Sequence, residues 1–527
     1  MKKYILSALT LSLTPAVLLA QQNTEVFLMD VRSTEKEMTL TPEEVFKSLE
    51  SPHEIAKRLG PPLNISNNEG YDNQPSFLDN DNILYASTRN NQTDIAVYNI
   101  STGKKTWISD TPGGSEYSPL KIPGKAAVSA IRLDSDGLQR LYEYDLQTGE
   151  FNELIKDLKV GYHVWYNDHI IVCTVLVANR MDLVVVDLKK GANTTVAQYV
   201  GRSLHKIPNT NLVSYISKAD KTFKIKSLDP IKGTIKKLNA IWNGRDDIAW
   251  LSPHTILATN DKAIVQVPAD TTGIWHVFHQ PDASELYKMS RMAISPDGKK
   301  LAVVAEPSPN KIVQKQLERF NARDLDGFVN CYTNDVLVTN FPTDTISVGR
   351  QPMKEGYRKF YEKTPKVEVK VANRMVLGTT VIDHEVVTIN DKQNLQVAVY
   401  EIDGRIKSMR FIRDKKVDES SETIVQKQLD AYNARDIDGF MDTYSENIAL
   451  YNFPAQLRTQ GQLAMRKGYG EYFESTPDLH AEIKNRIVIG NIVIDHEEVT
   501  ANGTKFSAVA IYEVVNGKIS KVTFVRE

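Results

Sequence analysis

The sequence predicts a multidomain protein in which an all-β region of about six repeated units precedes two copies of one α+β domain. Three observations support this fold class. The chain has 527 residues, which is too many for one hydrophobic core. Short β-rich runs recur roughly every 40 residues through the first part of the chain, as in propeller blades. A long C-terminal segment then occurs twice, with an offset of 112 residues.

The chain begins with the layout of a secretory signal peptide. Lys2 and Lys3 precede an apolar run that ends at Ala20, and the polar Gln21 follows. The apolar run is shorter than the roughly 20 residues that a membrane helix needs. We therefore expect residues 1–20 to be removed and the mature protein to be exported, to the periplasm or the medium, without a membrane span.

Composition narrows the classes of partner. The 64 basic and 66 acidic residues balance, so the sequence does not predict a nucleic-acid partner. The two cysteines, Cys173 and Cys331, fall in different predicted domains, and we expect them to be buried thiols. Zinc-ligand spacing and phosphate-binding glycine loops are absent from the sequence, so no metal or cofactor is predicted.

Three stretches carry the β-repeat pattern: "FLDNDNILYASTRNNQTDIAVYNISTGKKTWIS", "RLYEYDLQTGEFNELI" and "MAISPDGKKLAVVAE". Strands in them alternate with Asn, Asp and Gly turns. They resemble the repeats of TolB-like β-propellers, in which "SPDGK" and "YDLxTG" recur. Residues 24–306 are therefore predicted to form a TolB-like propeller of about six blades.

The predicted ring needs its two ends to meet. The last unit, 290–306, supplies only two strands. We expect Glu25–Val31 and Pro62–Ser66 to complete it, which would leave no open edge. Between them, Thr41–Leu59 is predicted to be helical, with Thr41 as the N-cap.

The duplicated segment opens with "IVQKQLERFNARDLDGFVNCY" at Ile312 and "IVQKQLDAYNARDIDGFMDTY" at Ile424. In each copy the spacing predicts three helical stretches, the second carrying Phe328 and Tyr332 in the first copy, followed by four strands. "NARDLDGF", "NFP", "VIDHE" and "VAVYEIDGRI" resemble the SnoaL-like and ketosteroid-isomerase-like families of the nuclear transport factor two-like fold. The predicted domains are 311–414 and 423–527.

The resemblance implies a cone-shaped domain with a pocket between the sheet and the helices, and it implies pairing of such domains sheet to sheet. Two copies in one chain are therefore expected to pair with each other. The charged linker Asp414–Glu422 is long enough to allow this pairing.

In the steroid-isomerase relatives, an aspartate carries the proton while a tyrosine and a protonated aspartic acid hold the oxyanion. The resemblance places the base at Asn340 or Asn452, and an amide cannot act as a general base. The tyrosine position holds Gln316 and Gln428, and the aspartic acid position falls near Ala398 and Ala510. The sequence therefore predicts cups whose proton-handling groups are replaced by inert ones.

"VIDHE" places His384 and, in the second copy, His496 between acids. Consecutive strand residues point to opposite faces, so the acids cannot orient the imidazole or share a metal with it. Each histidine is a candidate catalytic base if it faces the pocket, because it titrates near neutral pH. The alternative is a structural histidine. Further pocket candidates are Tyr332, Asn340, Tyr357, Arg374, Tyr444, Asn452, Tyr469 and Arg486.

Two functions remain in view. The first is an exported, non-catalytic binding protein whose propeller contacts a protein or glycan and whose SnoaL-like cups hold a small apolar ligand or pair with each other. The second is a SnoaL-like enzyme with isomerase, cyclase or hydrolase chemistry that uses the pocket histidine. The two hypotheses can be distinguished by the position of the imidazoles of His384 and His496, which either point into a closed apolar pocket or lie against the other copy.

Overall fold

The computed structural model describes residues 23–32, 58–68, 70–260, 262–269, 273–281, 285–413 and 421–526. The predicted signal peptide lies outside these residues, as do most of the predicted helix Thr41–Leu59 and of the linker Asp414–Glu422. The chain forms two compact units, with the main boundary between Glu306 and Pro307. Among the described residues, no helix combines the length and the apolar character needed to cross a bilayer.

The first unit consists of six four-stranded sheets within the described residues. Its strands, in chain order, are β1 (Glu25–Asp30), β2 (Leu63–Asn64), β3 (Asp72–Phe77), β4 (Asn82–Arg89), β5 (Gln92–Asn99), β6 (Lys104–Trp107), β7 (Ser115–Lys121), β8 (Ala127–Leu133), β9 (Gln139–Asp145), β10 (Phe151–Ile155), β11 (Val160–Trp165), β12 (Ile170–Val177), β13 (Arg180–Asp187), β14 (Ala192–Gln198), β15 (Val200–Lys206), β16 (Val213–Ser217), β17 (Lys224–Leu228), β18 (Ile235–Ala240), β19 (Ile248–Ser252), β20 (Thr255–Thr259), β21 (Ile264–Pro268), β22 (His276–His279), β23 (Met292–Ile294) and β24 (Lys300–Ala305). Five of the sheets are antiparallel sets of four consecutive strands, from β3–β6 to β19–β22.

The sixth sheet joins the two ends of the unit. Its order is β2–β1–β24–β23, and β1 pairs antiparallel with β24 along its whole length. This pairing confirms the predicted completion of the last repeat by N-terminal strands. The first strand of each sheet contacts the first strand of the next, and β23 contacts β3. The six sheets therefore form a closed ring.

Alternation along each central strand holds neighbouring sheets together. In β4, Ile83 and Tyr85 pack with Ala302 of the preceding sheet, whereas Leu84 packs with Val128 of the following sheet. Side chains on the two faces of a strand point in opposite directions, so an unbroken apolar run serves both neighbours. This explains why these strands are apolar at consecutive positions.

The second unit contains the two copies. The first comprises α1 (Pro309–Asn321), α2 (Leu325–Asn330), β25 (Tyr332–Asn340), β26 (Asp344–Val348), α3 (Arg350–Lys363), β27 (Val367–Leu377), β28 (Thr380–Ile389), β29 (Lys392–Asp403) and β30 (Arg405–Arg413). The second repeats this order as α4 (Ser421–Ala434), α5 (Ile437–Asp442), β31 (Tyr444–Asn452), β32 (Gln456–Gln460), α6 (Gln462–Ser475), β33 (His480–Ile489), β34 (Ile492–Ala501), β35 (Thr504–Val515) and β36 (Lys518–Arg526). Each copy has one six-stranded sheet, ordered β26–β25–β30–β29–β28–β27 in the first.

The sheets are larger than the sequence predicted. Two strands, β25 and β26, separate the second helix from the third, and the prediction of a helix carrying Tyr332 is wrong because that residue opens β25. The β25 sequence "YTNDVLVTN" mixes polar and apolar residues, so its pattern is weak. Its strand conformation depends on a parallel pairing with β30, which lies far away in the sequence.

The two faces of each sheet have different partners. On one face, which we call the cup face, Val381 and Ala398 pack with Phe320 and Phe328 of the helices. The opposite face, which we call the inter-copy face, packs against the equivalent face of the other copy. Its shared cluster contains Met375, Leu377, Ile382, Val397, Val399 and Ile412 from the first copy and Ile487, Ile489, Ile494, Val509, Ile511 and Val525 from the second.

Polar and aromatic contacts across the inter-copy face follow the same symmetry. Asn373 Nδ2 donates to Asn485 Oδ1 at 2.7 Å, and Asn485 Nδ2 donates back to Asn373 Oδ1 at 2.8 Å. The rings of Phe341 and Phe453 stack with their centroids 6.4 Å apart. Residues at equivalent positions therefore meet each other, as in an interface with two-fold symmetry.

Candidate functional site

A cavity of about 980 Å³ lies between the sheet and the helices of the first copy; we call it the first cup. Its walls are mostly apolar, with contributions from Leu317, Phe320, Val338, Ile346, Pro352, Met353, Tyr357, Phe360, Val369, Val387, Ile389, Leu395, Met409 and Phe411. A few polar groups join them: Gln316, Ser347, Glu385, Asn394, Gln396, Tyr400 and Arg413. Large apolar cavities with few convergent polar groups are typical of small-molecule sites.

Glu385 is the buried carboxyl group of this cup. It lies on β28, on the cup face, and its residue is 3% exposed. Tyr400 Oη donates to one carboxyl oxygen at 3.0 Å, and Gln396 Nε2 donates to the other at 2.7 Å. Both donors come from β29, the neighbouring strand, whose register places Gln396 directly opposite Glu385. The expectation of a cup without a proton-handling group is therefore wrong for the first copy.

Burial and hydrogen bonding act in opposite directions on this carboxyl. Burial raises the pKa of Glu385 to about 7, and the bonds from Gln396 and Tyr400 oppose part of this rise. The ionised and protonated forms are therefore both populated near neutral pH. A carboxyl with such a pKa can take a proton from a ligand or donate a hydrogen bond to it.

A buried ion pair stands beside Glu385 on the same face. Arg374 holds Asp383 through two bonds, from Nε at 2.6 Å and from Nη2 at 2.7 Å. Its Nη1 donates to Asn310 Oδ1 of α1 at 2.9 Å. These contacts tie α1 to the sheet. Neither Arg374 nor Asp383 is among the residues lining the cavity, so the pair anchors the helix beside the cup.

His384 lies on the opposite face of β28. It is paired in register with Asn373 and Val397, both of which belong to the inter-copy face. Burial lowers its pKa, so the imidazole is neutral. His496 has the equivalent position and a lowered pKa for the same reason. The structure therefore places both candidate bases outside the cup and on the face that packs against the other copy. This position disfavours catalysis by either histidine.

The other sequence candidates fall in several environments. Tyr357 lines the first cup. Tyr332 is fully buried behind it, with its hydroxyl 3.5 Å from Met409 Sδ. Asn340 donates to Asp344 in the β25–β26 hairpin, 3.1 Å away, so it lies at a turn. Gln316, the residue at the relatives' tyrosine position, lines the cup, and its Oε1 has no hydrogen-bond partner among the described residues.

The second copy repeats the carboxyl with fewer partners. Tyr512 Oη donates to Glu497 at 2.9 Å, and burial raises the pKa of Glu497 to about 7. The position of Gln396 is occupied by Ala508, so the second donor is lost. Phe506, which is 45% exposed, stands where the first copy has Asn394.

The remaining second-copy candidates follow their counterparts. Tyr444 is buried, and Tyr469 packs on the aromatic core of Phe440 and Phe473. Asn452 pairs with Gln456 at 3.5 Å in the hairpin. Arg486 holds Asp495 through two bonds of 2.6 and 2.7 Å.

The sequence contained a signal for Glu385 that the alternation argument did not use fully. Acids and histidine were assigned to opposite faces of β28, which the register confirms. To place Glu385 in the cup, the sequence would also have to indicate which face of β28 packs against the helices. Val381 and Val387 share the parity of Glu385 and are apolar, as a cup face requires, but Ile382 and Val386 are equally apolar on the other parity. Both faces are buried, so hydrophobicity alone does not distinguish them.

The fold and the cup define an α+β class in which three helices pack on one face of a six-stranded sheet. Residues 313–411 and 425–522 each match the SnoaL-like domain family, and the chain thus contains two SnoaL-like domains. No curated protein matches the chain.

Several solved structures are similar to parts of the chain. An uncharacterized cystatin-fold protein from Novosphingobium aromaticivorans has 28% identity over 20% of this chain and 96% of its own, with a TM-score of 0.19. An NTF2-like protein of unknown function from Cytophaga hutchinsonii has 15% identity over 21% and 90%, with a TM-score of 0.18. A candidate TolB from Agrobacterium tumefaciens has 11% identity over 54% and 98%, with a TM-score of 0.41.

Proposed function

We propose that the first cup binds a small, largely apolar molecule with one hydrogen-bonding oxygen, and that Glu385 meets this oxygen. The observation that carries the proposal is the cavity of about 980 Å³ with a buried carboxyl in its wall. Apolar walls supply affinity through burial, while a single polar partner fixes the orientation. A ligand oxygen that accepts from the protonated carboxyl, or donates to the ionised one, fits either form.

A pair of matched glycines allows the cup to be blocked. Gly356 lines the cavity, and a Cβ built there would meet no atom within 4 Å. Gly468, its counterpart in the second copy, has the same open space. Replacing Gly356 by phenylalanine is expected to fill the first cup, and replacing Gly468 is the control.

Binding is measured by calorimetric titration of the full chain with androstenedione and with 2-naphthol, an apolar ketone and an apolar alcohol. We expect at least one probe to bind, Gly356→Phe to abolish binding, and Glu385→Gln to weaken it roughly tenfold through the altered hydrogen bond. Gly468→Phe should leave this binding unchanged. Absence of binding by both probes, or equal loss in the two glycine variants, would contradict the proposal.

A second candidate function is proton transfer by Glu385. It is favoured by the pKa of about 7 together with the Tyr400 hydroxyl 3.0 Å away. A carboxylate with this pKa can remove a proton next to a ketone, and the neighbouring donors can stabilise charge nearby. This reading transfers the catalytic role from the histidine to the glutamate.

The test is isomerisation of 5-androstene-3,17-dione, followed by absorbance of the conjugated ketone. We expect the rate to rise with pH through about 7 as the carboxylate forms, and Glu385→Gln to lower it roughly 100-fold. His384→Gln is the control, since it should leave the rate unchanged. If the substrate binds without turnover, the cup is a binding site alone.

For the first unit, we propose a six-bladed propeller that contacts a protein or a glycan after export. The ring of six sheets and the basic and apolar N-terminal segment support this proposal. Mass spectrometry of the protein purified from its own host should give an N-terminus near Gln21. An intact Met1, or a cytoplasmic fraction that holds all of the protein, would contradict export.

A further inference from the structure

A small cavity lies on the axis of the ring of sheets. Its volume is about 100 Å³, which is room for roughly three water molecules or one small functional group. All six sheets line it with their first strands or the residues just before them, contributing among others Ser76, Ser118, His163, Arg202, Asp247 and Arg291. We call it the axial cavity. The SnoaL-like cups take no part in it.

Arginines and acids from different sheets form a connected group at this cavity. Arg202 donates from Nε to Asp247 at 2.8 Å and also from Nη2. Arg291 lies farther from the same carboxylate, with its Nε 3.6 Å away. Nearby, Lys218 pairs with Asp246 at 2.7 Å. Among the residues that line the cavity, Arg202 and Arg291 carry two positive charges and Asp247 one negative charge, which leaves one positive charge in excess.

Arg291 is the cation with the weakest internal pairing of the three. Its nearest carboxylate is already held by Arg202, and its Nη2 donates to Tyr162 Oη at 3.2 Å. A guanidinium has five N–H donors in a planar fork that matches a carboxylate. The side chain is only 16% exposed, so donors facing the cavity are largely removed from solvent.

A second polar side chain at the cavity wall has one atom without a partner among the described residues. His163 is 4% exposed, and its Nε2 lies 2.7 Å from Ser129 Oγ. Its Nδ1 has no hydrogen-bond partner among the described residues. Burial lowers the pKa of His163 to about 3, so the ring is neutral. A buried polar atom without a partner is costly, and a ligand or water in the cavity would satisfy it.

We propose that the axial cavity binds the carboxylate group of a ligand, with Arg291 as its main partner. A carboxylate carries one negative charge, which equals the excess charge of the group. A phosphate would add a second charge close to Asp247, which is unfavourable. The volume is enough for a carboxylate group. This binding site goes beyond the function proposed for the cups.

Two sources of carboxylate are distinguished by choice of probe. The full chain is titrated with acetate, with trialanine and with trialanine amide, and binding is followed by broadening of the probe's NMR lines. Binding of acetate and trialanine, but not of the amide, indicates a peptide terminus. Binding of acetate alone indicates a small organic acid.

Variants of two arginines test the assignment. Arg291→Gln is expected to weaken binding of the acids at least tenfold. Arg180→Gln is the matched control, because Arg180 pairs with Asp182 on β13, away from the cavity, and it should change nothing. If Arg291→Gln does not fold, Tyr162→Phe removes the hydroxyl that holds Arg291 and should weaken binding about threefold. The proposal is overturned if neither acid binds, if the amide binds equally well, or if the folded variants bind as the wild type does.

Discussion

At the scale of single residues, the alternation of one strand separates two chemistries. Glu385 and His384 are neighbours on β28, yet the carboxyl lines the cup and the imidazole faces the other copy. Because a strand has a repeat of two residues, a shift of one residue in register would exchange them. The side chains that fix this register are therefore as important for the cup as the carboxyl itself.

The buried carboxyls should make stability depend on pH. Burial raises the folded-state pKa of Glu385 and Glu497 from 4.5 to about 7. A raised pKa means that the folded state prefers the protonated form. The contribution of the two carboxyls to the free energy of unfolding is therefore complete below pH 4.5 and is lost as the pH rises through about 7. Replacing both by glutamine, which cannot ionise, should remove this loss.

The measurement is the free energy of unfolding in urea at pH 5 and at pH 8. From pH 5 to pH 8, the free energy of unfolding of the double variant should rise relative to that of the wild type by at most roughly 3 kcal/mol per carboxyl. Asp72 and Glu116 in the ring also have pKa values raised to about 7 by burial, but they are present in both proteins and cancel in the comparison. If the wild type and the double variant change in free energy of unfolding by the same amount between pH 5 and pH 8, the pKa values of the two cup carboxyls are not raised.

His384 and His496 provide the opposite prediction. Their imidazoles lie on the inter-copy face, so His384→Gln should leave probe binding in the first cup within about twofold of the wild type. The same calorimetric titration measures it. A loss as large as that of Glu385→Gln would mean that the histidine reaches the ligand.

At the scale of secondary structure elements, local pattern predicted those strands whose partners are close in sequence. The strands β27 to β30 follow one another through short turns, and Gly404 has the positive φ of 66° that the tight turn between β29 and β30 requires. The hairpin of β25 and β26 was missed although its strands are adjacent in sequence, because β25 mixes polar and apolar residues and its other partner, β30, is distant. Pairing across such distances leaves little mark on local sequence.

The contact between the two sheets can be tested at equivalent positions. Ile382 and Ile494 are 1% and 0% exposed and belong to one shared cluster. Either one replaced by alanine should lower the free energy of unfolding by about 2–4 kcal/mol through lost burial and a cavity. The double variant should deviate from the sum of the two, because both residues share neighbours. Additive losses would indicate that each copy packs its face independently.

At the scale of the whole chain, the repeats predicted the architecture, whereas the sites required three-dimensional placement. The offset of 112 residues identified the duplication, and the turn motifs identified the β-rich repeats of the first unit. The axial cavity combines side chains from six sheets, so no stretch of sequence contains it. The same applies to the cup, where Gln396 and Tyr400 surround a carboxyl from another strand.

The two compact units allow a test of independence. The segment 307–527 holds both SnoaL-like domains with their own clusters of buried residues. Expressed alone, it should unfold cooperatively and bind the cup probes as the full chain does, which calorimetry measures. Loss of binding in a folded segment would mean that the ring contributes to the cup.

Pairing of β1 with β24 also orders events in time. β1 is synthesised early, whereas its partner β24 ends at residue 305. The ring therefore cannot finish folding before almost three hundred residues have left the ribosome. Contacts between such distant segments form slowly because a long loop has to close first. During synthesis the first half is thus an unfinished arc with an exposed strand edge, and holding it in that state is what transport as an unfolded chain would require.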